Sequence, residues 1–168
     1  MARTTENPVP NTPARARAAL EADLPLVLRG RTLDEAGWTR PDPLTILVPL
    51  VGIREDKTRD DFLLRLQFGY YRDWPASAQF VNPETGSYCY PDDVSWLPRI
   101  EGTNEIAVHA NYDNRLQLVC ASVTLEFYLV RHGVAERLLW DPRMQNFSAT
   151  LTAIERGLRP PFYKGRQG

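Results

Sequence analysis

At 168 residues and 19.2 kDa the chain is long enough for one domain with a hydrophobic core and too short for two ordinary ones. Its residues are 43% hydrophobic and 24% charged with a net charge of -1, a globular balance that offers no basic field for nucleic acid. No apolar run approaches the roughly 20 residues of a membrane span, and the opening Met1 to Glu6 lacks the apolar core of a secretion signal, so a cytoplasmic location off the membrane is expected.

Residues 1 to 11 carry Pro8, Pro10 and Asn11 without apolar periodicity and read as a flexible tail ahead of a single domain over 12 to 168. Thr12 and Pro13 then open a helix, as cap and first helical residue, with Leu20 and Leu24 four apart. Its end is expected near Pro25. From Thr45 to Ile53 the chain is apolar and β-branched, and the internal Pro49 removes a ladder donor, which predicts an edge position or a bulge. Phe62, Leu64, Leu66 and Phe68 alternate with Arg65 and Gln67, the period of a half-buried strand.

A tight connection through Asp73, Trp74 and Pro75 leads to a short strand from Ala78 to Val81, which makes an antiparallel meander. Residues 82 to 104 are rich in Pro, Gly, Asp and Asn and read as a long ordered loop or an insertion. Short strands are expected at Ile106 to His109 and Leu116 to Cys120. Phe147, Leu151, Ile154 and Leu158 fall on one stripe of a C-terminal helix that Ser148 caps and Gly157, Pro160 and Pro161 end. The sum is an α+β fold with an antiparallel sheet, an N-terminal helix and C-terminal helices packed on one face.

Chemistry concentrates between His109 and Cys120, which hold one of the two histidines, a turn and one of the two cysteines, with Glu126 and His132 shortly after. Cys120 admits three readings: a thioester-forming nucleophile, a metal ligand or a small buried core residue. Zinc accepts thiolate, imidazole and carboxylate, so Cys120, Glu126, His132 and His109 form a chemically reasonable set. Spacing restricts it. Six residues span about 20 Å in a strand, and steps of six in a helix fall on different faces, so chelation needs a sharp bend or a helix start between Cys120 and His132, near Ala121 and Ser122 or Gly133. Glu126 and His132 as a solvated pair is the plain alternative. Cys89 reads as packing, and in a reducing compartment both cysteines are free thiols, a single disulfide between them being the other option. Tyr70, Tyr71, Trp74, Tyr88, Tyr90 and Trp96 read as an aromatic core edge, with a partner-binding surface as the alternative.

The order of these elements resembles the ubiquitin-conjugating enzymes and their diverged bacterial relatives, over roughly residues 12 to 163. Phe62 to Phe68 resembles the family's phenylalanine-rich strand and Asp73-Trp74-Pro75 its turn. His109-Ala110-Asn111 resembles its His-Pro-Asn motif with alanine for proline, Leu118-Val119-Cys120 the approach to its cysteine, and Trp140-Asp141-Pro142 its tryptophan-proline element. The connection at 82 to 104 is longer than the family's, and 122 to 139 has no counterpart in it. The resemblance implies a UBC-like fold, Cys120 carrying a ubiquitin-like protein received from an activating enzyme, and Asn111 stabilising the oxyanion of transfer. The chain is also similar to a bacterial family of metal-binding proteins found beside ubiquitin-like systems and marked by Cys, Glu, His and His. That likeness implies a non-catalytic zinc domain.

Overall fold

In the computed structural model, which describes residues 7–130 and 138–168, Thr12 opens the first helix as its Thr-Pro pair predicts. Its hydroxyl accepts the Arg15 amide at 3.3 Å, and α1 runs Pro13–Leu28. The helix passes Pro25 instead of stopping there. Proline withdraws one hydrogen bond, whereas a further turn buries Leu28 beside Leu20 and Leu24, and Arg29 (φ 53°) and Gly30 then close on the carbonyls of Leu26 and Pro25. The preceding segment is tied down at its end: Asn11 donates to the carbonyls of Tyr70 and Tyr71 at 3.2 and 2.8 Å. The short helix α2 (Leu33–Ala36) carries a capping box from Thr32 and Glu35.

Four antiparallel strands follow in the order β1 (Thr39–Asp42), β2 (Thr45–Ile53), β3 (Arg59–Gln67) and β4 (Ser77–Val81). β3 pairs on both sides, as the meander predicts, and its Phe62, Leu64 and Leu66 are buried with the adjoining Phe68. Pro49 sits in β2 beyond the last residue paired with β1, Leu47, so it lies at a local edge where its missing donor costs nothing. One core gathers α1, the inner face of the meander and the C-terminal helix α4 (Ser148–Gly157), with Phe147, Leu151, Ile154 and Leu158 all buried in it. Edge-to-face contacts among Phe68, Tyr71 and Phe147 at 5.1 to 6.1 Å form its centre. Ser148 is the first residue of α4 and not its cap: the N-cap is Phe147, which makes no side-chain cap bond, and the Asn146 side-chain oxygen accepts the Ser148 amide at 2.9 Å.

Residues 82 to 104 are more structured than a loop. They contain a 3-10 turn at Val94–Trp96 and a strand β5 (Pro98–Ile100), paired with β8 (Tyr163–Arg166) some sixty residues later. A hairpin of β6 (Ala107–Asp113) and β7 (Leu116–Cys120) then turns through Asn114 and Arg115, both at positive φ, and α3 (Leu125–Leu129) follows. No helix among the described residues is long and apolar enough to cross a membrane.

The outer edge of β4 is closed by side chains instead of a fifth strand. The Gln117 amide accepts from the Phe80 N–H at 2.8 Å and donates to the Phe80 carbonyl at 2.6 Å, mimicking a strand neighbour from β7. Gln117→Leu keeps the bulk and leaves two buried backbone groups unpaired, which is expected to cost about 1 to 3 kcal/mol in urea denaturation. An unchanged midpoint would show that the edge is already satisfied by water.

Candidate functional site

Cys120 is the last residue of β7, paired across the hairpin with Ala107. Immediately after it the chain bends. The buried Thr124 hydroxyl lies 2.8 and 2.9 Å from the carbonyls of Val119 and Ala121 and accepts the Ala121 amide at 3.1 Å, so a strand gives way to α3 within four residues. This is the sharp change of direction that the Cys120 to Glu126 spacing requires for the two to approach.

The half-buried Cys120 opens on a groove of about 930 Å³ between the loop before β6, the bend after β7 and one face of α4. Its walls mix small and apolar residues such as Ala107, Ala149, Ala153 and Phe127 with the polar Asn104, Gln145 and Thr152, and Glu105 and Arg156 are the only charged groups among its described lining residues. Burial pushes the Cys120 thiol up to about 11, and the negative charge of Glu126 adds to the effect. At neutral pH the sulfur is therefore a thiol, with about one molecule in ten thousand ionised.

Glu126 belongs to the same edge as Gln117. Its carboxylate accepts the Ser77 hydroxyl and, at 3.2 Å, the Ala78 amide of β4. Part of the residue faces a cavity of about 680 Å³ over the outer sheet surface, yet the carboxyl group is enclosed, and this burial raises its pKa to about 7 despite the bonds to Ser77 and Ala78. Glu126 thus satisfies an open strand where a solvated pair or a metal ligand was the sequence reading.

The structure brings Glu126 near Cys120 and keeps Asn111 away. Asn111 stands four residues beyond Ala107 toward the hairpin turn, about 13 Å along the strand, and its side chain accepts the Arg115 amide at 2.9 Å. That is a turn-stabilising bond. His109 is exposed on β6, 5.9 Å from the Tyr112 ring, and His132 lies outside the described residues. Among the described residues no three His, Cys, Asp or Glu side chains gather as a metal group would need, and both oxygens of Glu126 are engaged.

Cys89 is exposed, against the expectation of packing, because its turn is held by a backbone bond to Asp93 at 2.7 Å and not by enclosure of the thiol. Of the aromatic residues Tyr71 and Trp74 are buried and Tyr88 packs against the core, its hydroxyl donating to the Ala110 carbonyl at 2.5 Å, whereas Trp96 lies under Arg166 outside that core. What the sequence reading missed is the groove wall on α4. Ala149, Thr152, Ala153 and Arg156 recur at helical spacing beside the apolar stripe, and this second face was visible in the pattern.

The molecule is thus an α+β protein with one half-buried cysteine at the end of a hairpin strand, facing a groove against its C-terminal helix. No protein-family model matches the chain, and neither a curated protein nor a solved structure is significantly similar to it.

Proposed function

We propose that this is a UBC-like carrier protein in which Cys120 receives the C-terminal acyl group of a ubiquitin-like protein, handed over by an activating enzyme, and holds it as a thioester. The observation that carries this reading is the half-buried Cys120 lining a groove of about 930 Å³ against α4. In the loading step the Cys120 thiolate adds to the carbonyl of the incoming thioester, the donor sulfur leaves and takes up a proton, and the acyl group rests on Cys120. A thiol that ionises near 11 is a slow nucleophile at neutral pH but also a poor leaving group, which suits a carrier that must not lose its cargo to water. Asn111, committed to Arg115, has no part in this step. The zinc alternative lacks a gathered ligand set among the described residues, and both oxygens of Glu126 are already engaged with β4.

The test is loading from ubiquitin presented as its mercaptoethanesulfonate thioester, in a Cys89→Ser background because Cys89 is exposed. A dithiothreitol-sensitive adduct is expected on intact mass, lost in Cys120→Ala, and forming about tenfold faster for each pH unit between 7 and 9, since the thiolate fraction grows at that rate below its pKa. No Cys120 adduct even at pH 9 would overturn the reading.

A further inference from the structure

The cavity of about 680 Å³ on the outer face of the meander shares no described lining residue with the Cys120 groove. Its floor is set by strand register. Leu47, Arg65 and Gln79 stand side by side across β2, β3 and β4, and Thr45, Gln67 and Ser77 make the next row. These positions alternate with the buried Ile46, Leu64, Leu66 and Ala78, so their side chains leave the core and line the cavity. Its volume is that of a small-molecule site. We propose that this cavity binds a small monocarboxylate with an apolar body, its carboxylate held by Arg65, Gln67 and Gln79. The assignment goes beyond the carrier reading and stands or falls without it.

The sign of the ligand follows from which atoms of the floor are already used. The Gln79 side-chain oxygen accepts from Arg65, and the Gln67 side-chain oxygen accepts the Gly69 amide at 2.9 Å, so the NH2 group is the end of each amide left over. Arg65 commits N–H groups to Gln79 and to the Gly86 carbonyl, out of the five that a guanidinium carries. No ion pair joins it to a carboxylate among the described residues. The floor therefore holds surplus donors around one positive charge, and its complement is an acceptor with a negative charge. A carboxylate matches the planar fork of the guanidinium, whereas a neutral amide of the same shape would bring donors against donors. The walls set the rest. Asp42 and Glu126 also line the cavity, so a second negative charge on the ligand would meet like charge. Leu47, Leu125 and Leu129 supply an apolar side, and Leu129 is 52% exposed there.

The experiment is isothermal titration calorimetry of the full chain with isovalerate, benzoate and 3-phenylpropanoate, each beside its neutral amide, and with inorganic phosphate. At least one acid is expected to bind about tenfold or more tightly than its own amide and than phosphate. Arg65→Met keeps the length of the side chain and is expected to weaken that acid about tenfold or more. Gln79→Leu leaves the guanidinium in place and is expected to weaken it about fivefold, which locates the site even if Arg65→Met fails to fold. No acid binding below about 10 mM, or an acid no tighter than its amide, overturns the inference. Phosphate binding as tightly as the best acid overturns the monocarboxylate assignment, and an affinity unchanged in the variants overturns the site.

Discussion

Asp23→Ala is expected to cost about 3 kcal/mol of stability, a fall of roughly 6 to 12 °C in the unfolding midpoint for a domain of this size. Asp23 is 2% exposed on α1, yet it takes a 2.6 Å hydrogen bond from the Tyr71 hydroxyl and a 3.2 Å contact with the Arg72 guanidinium. The Tyr71 oxygen in turn accepts the Phe147 amide at 3.0 Å, so a single carboxylate organises the junction of α1, the turn after β3 and the start of α4. Removing one member of a buried ion pair costs about 3 to 5 kcal/mol, and the lower end applies because the Arg72 side chain is 35% exposed and can recover water. Tyr71→Phe leaves the buried Phe147 amide without its acceptor and should cost about 2 kcal/mol. The double variant should lose clearly less than the sum, because both substitutions break one network. Additive losses in urea denaturation would mean that the three groups act independently.

The same junction shows where sequence reading runs out. The alternation of Phe62, Leu64, Leu66 and Phe68 and the stripe of Phe147, Leu151, Ile154 and Leu158 depend only on local periods of two and 3.6, and the core uses both as their patterns predict. The partners of Asp23 lie 48 and 49 positions away, and β5 finds β8 across more than sixty residues, so neither leaves a local signature. The site divides in the same way. The bend after Cys120 is the change of direction that the Cys120 to Glu126 spacing demands for the two to meet, and it is built by Thr124. Asn111 takes a catalytic reading only from the resemblance of His109-Ala110-Asn111 to a motif, and the left-handed residues Asn114 and Arg115 place it at a tight turn that its side-chain oxygen anchors. From sequence Glu126 offers only a metal ligand or a solvated pair with His132, because the open edge of β4, which it closes, exists only after the chain has folded.

That role for Glu126 gives the molecule a pH-dependent stability. Its folded pKa is about 7 against an ordinary value of 4.5. Between these values the folded chain holds a proton that the unfolded chain has released, so the stabilising contribution is complete below about pH 4.5 and is lost as the pH rises through 7. Above that point the chain should be about 3 kcal/mol less stable than the protonated form would be. Glu126→Gln preserves the shape, accepts the Ala78 amide and can donate to Ser77, while removing the titration. The variant is therefore expected to match the wild type near pH 4.5 and to exceed it by up to about 3 kcal/mol at pH 8.5. A constant offset across that range, or a variant weaker at high pH, would refute a titrating carboxyl at this edge. Because the Glu126 charge also disfavours the Cys120 thiolate, the same variant should speed iodoacetamide modification of Cys120 at pH 8.5. A stability gain without faster alkylation would separate the strand edge from the cysteine, and the two together would tie sheet closure to the reactivity of the groove.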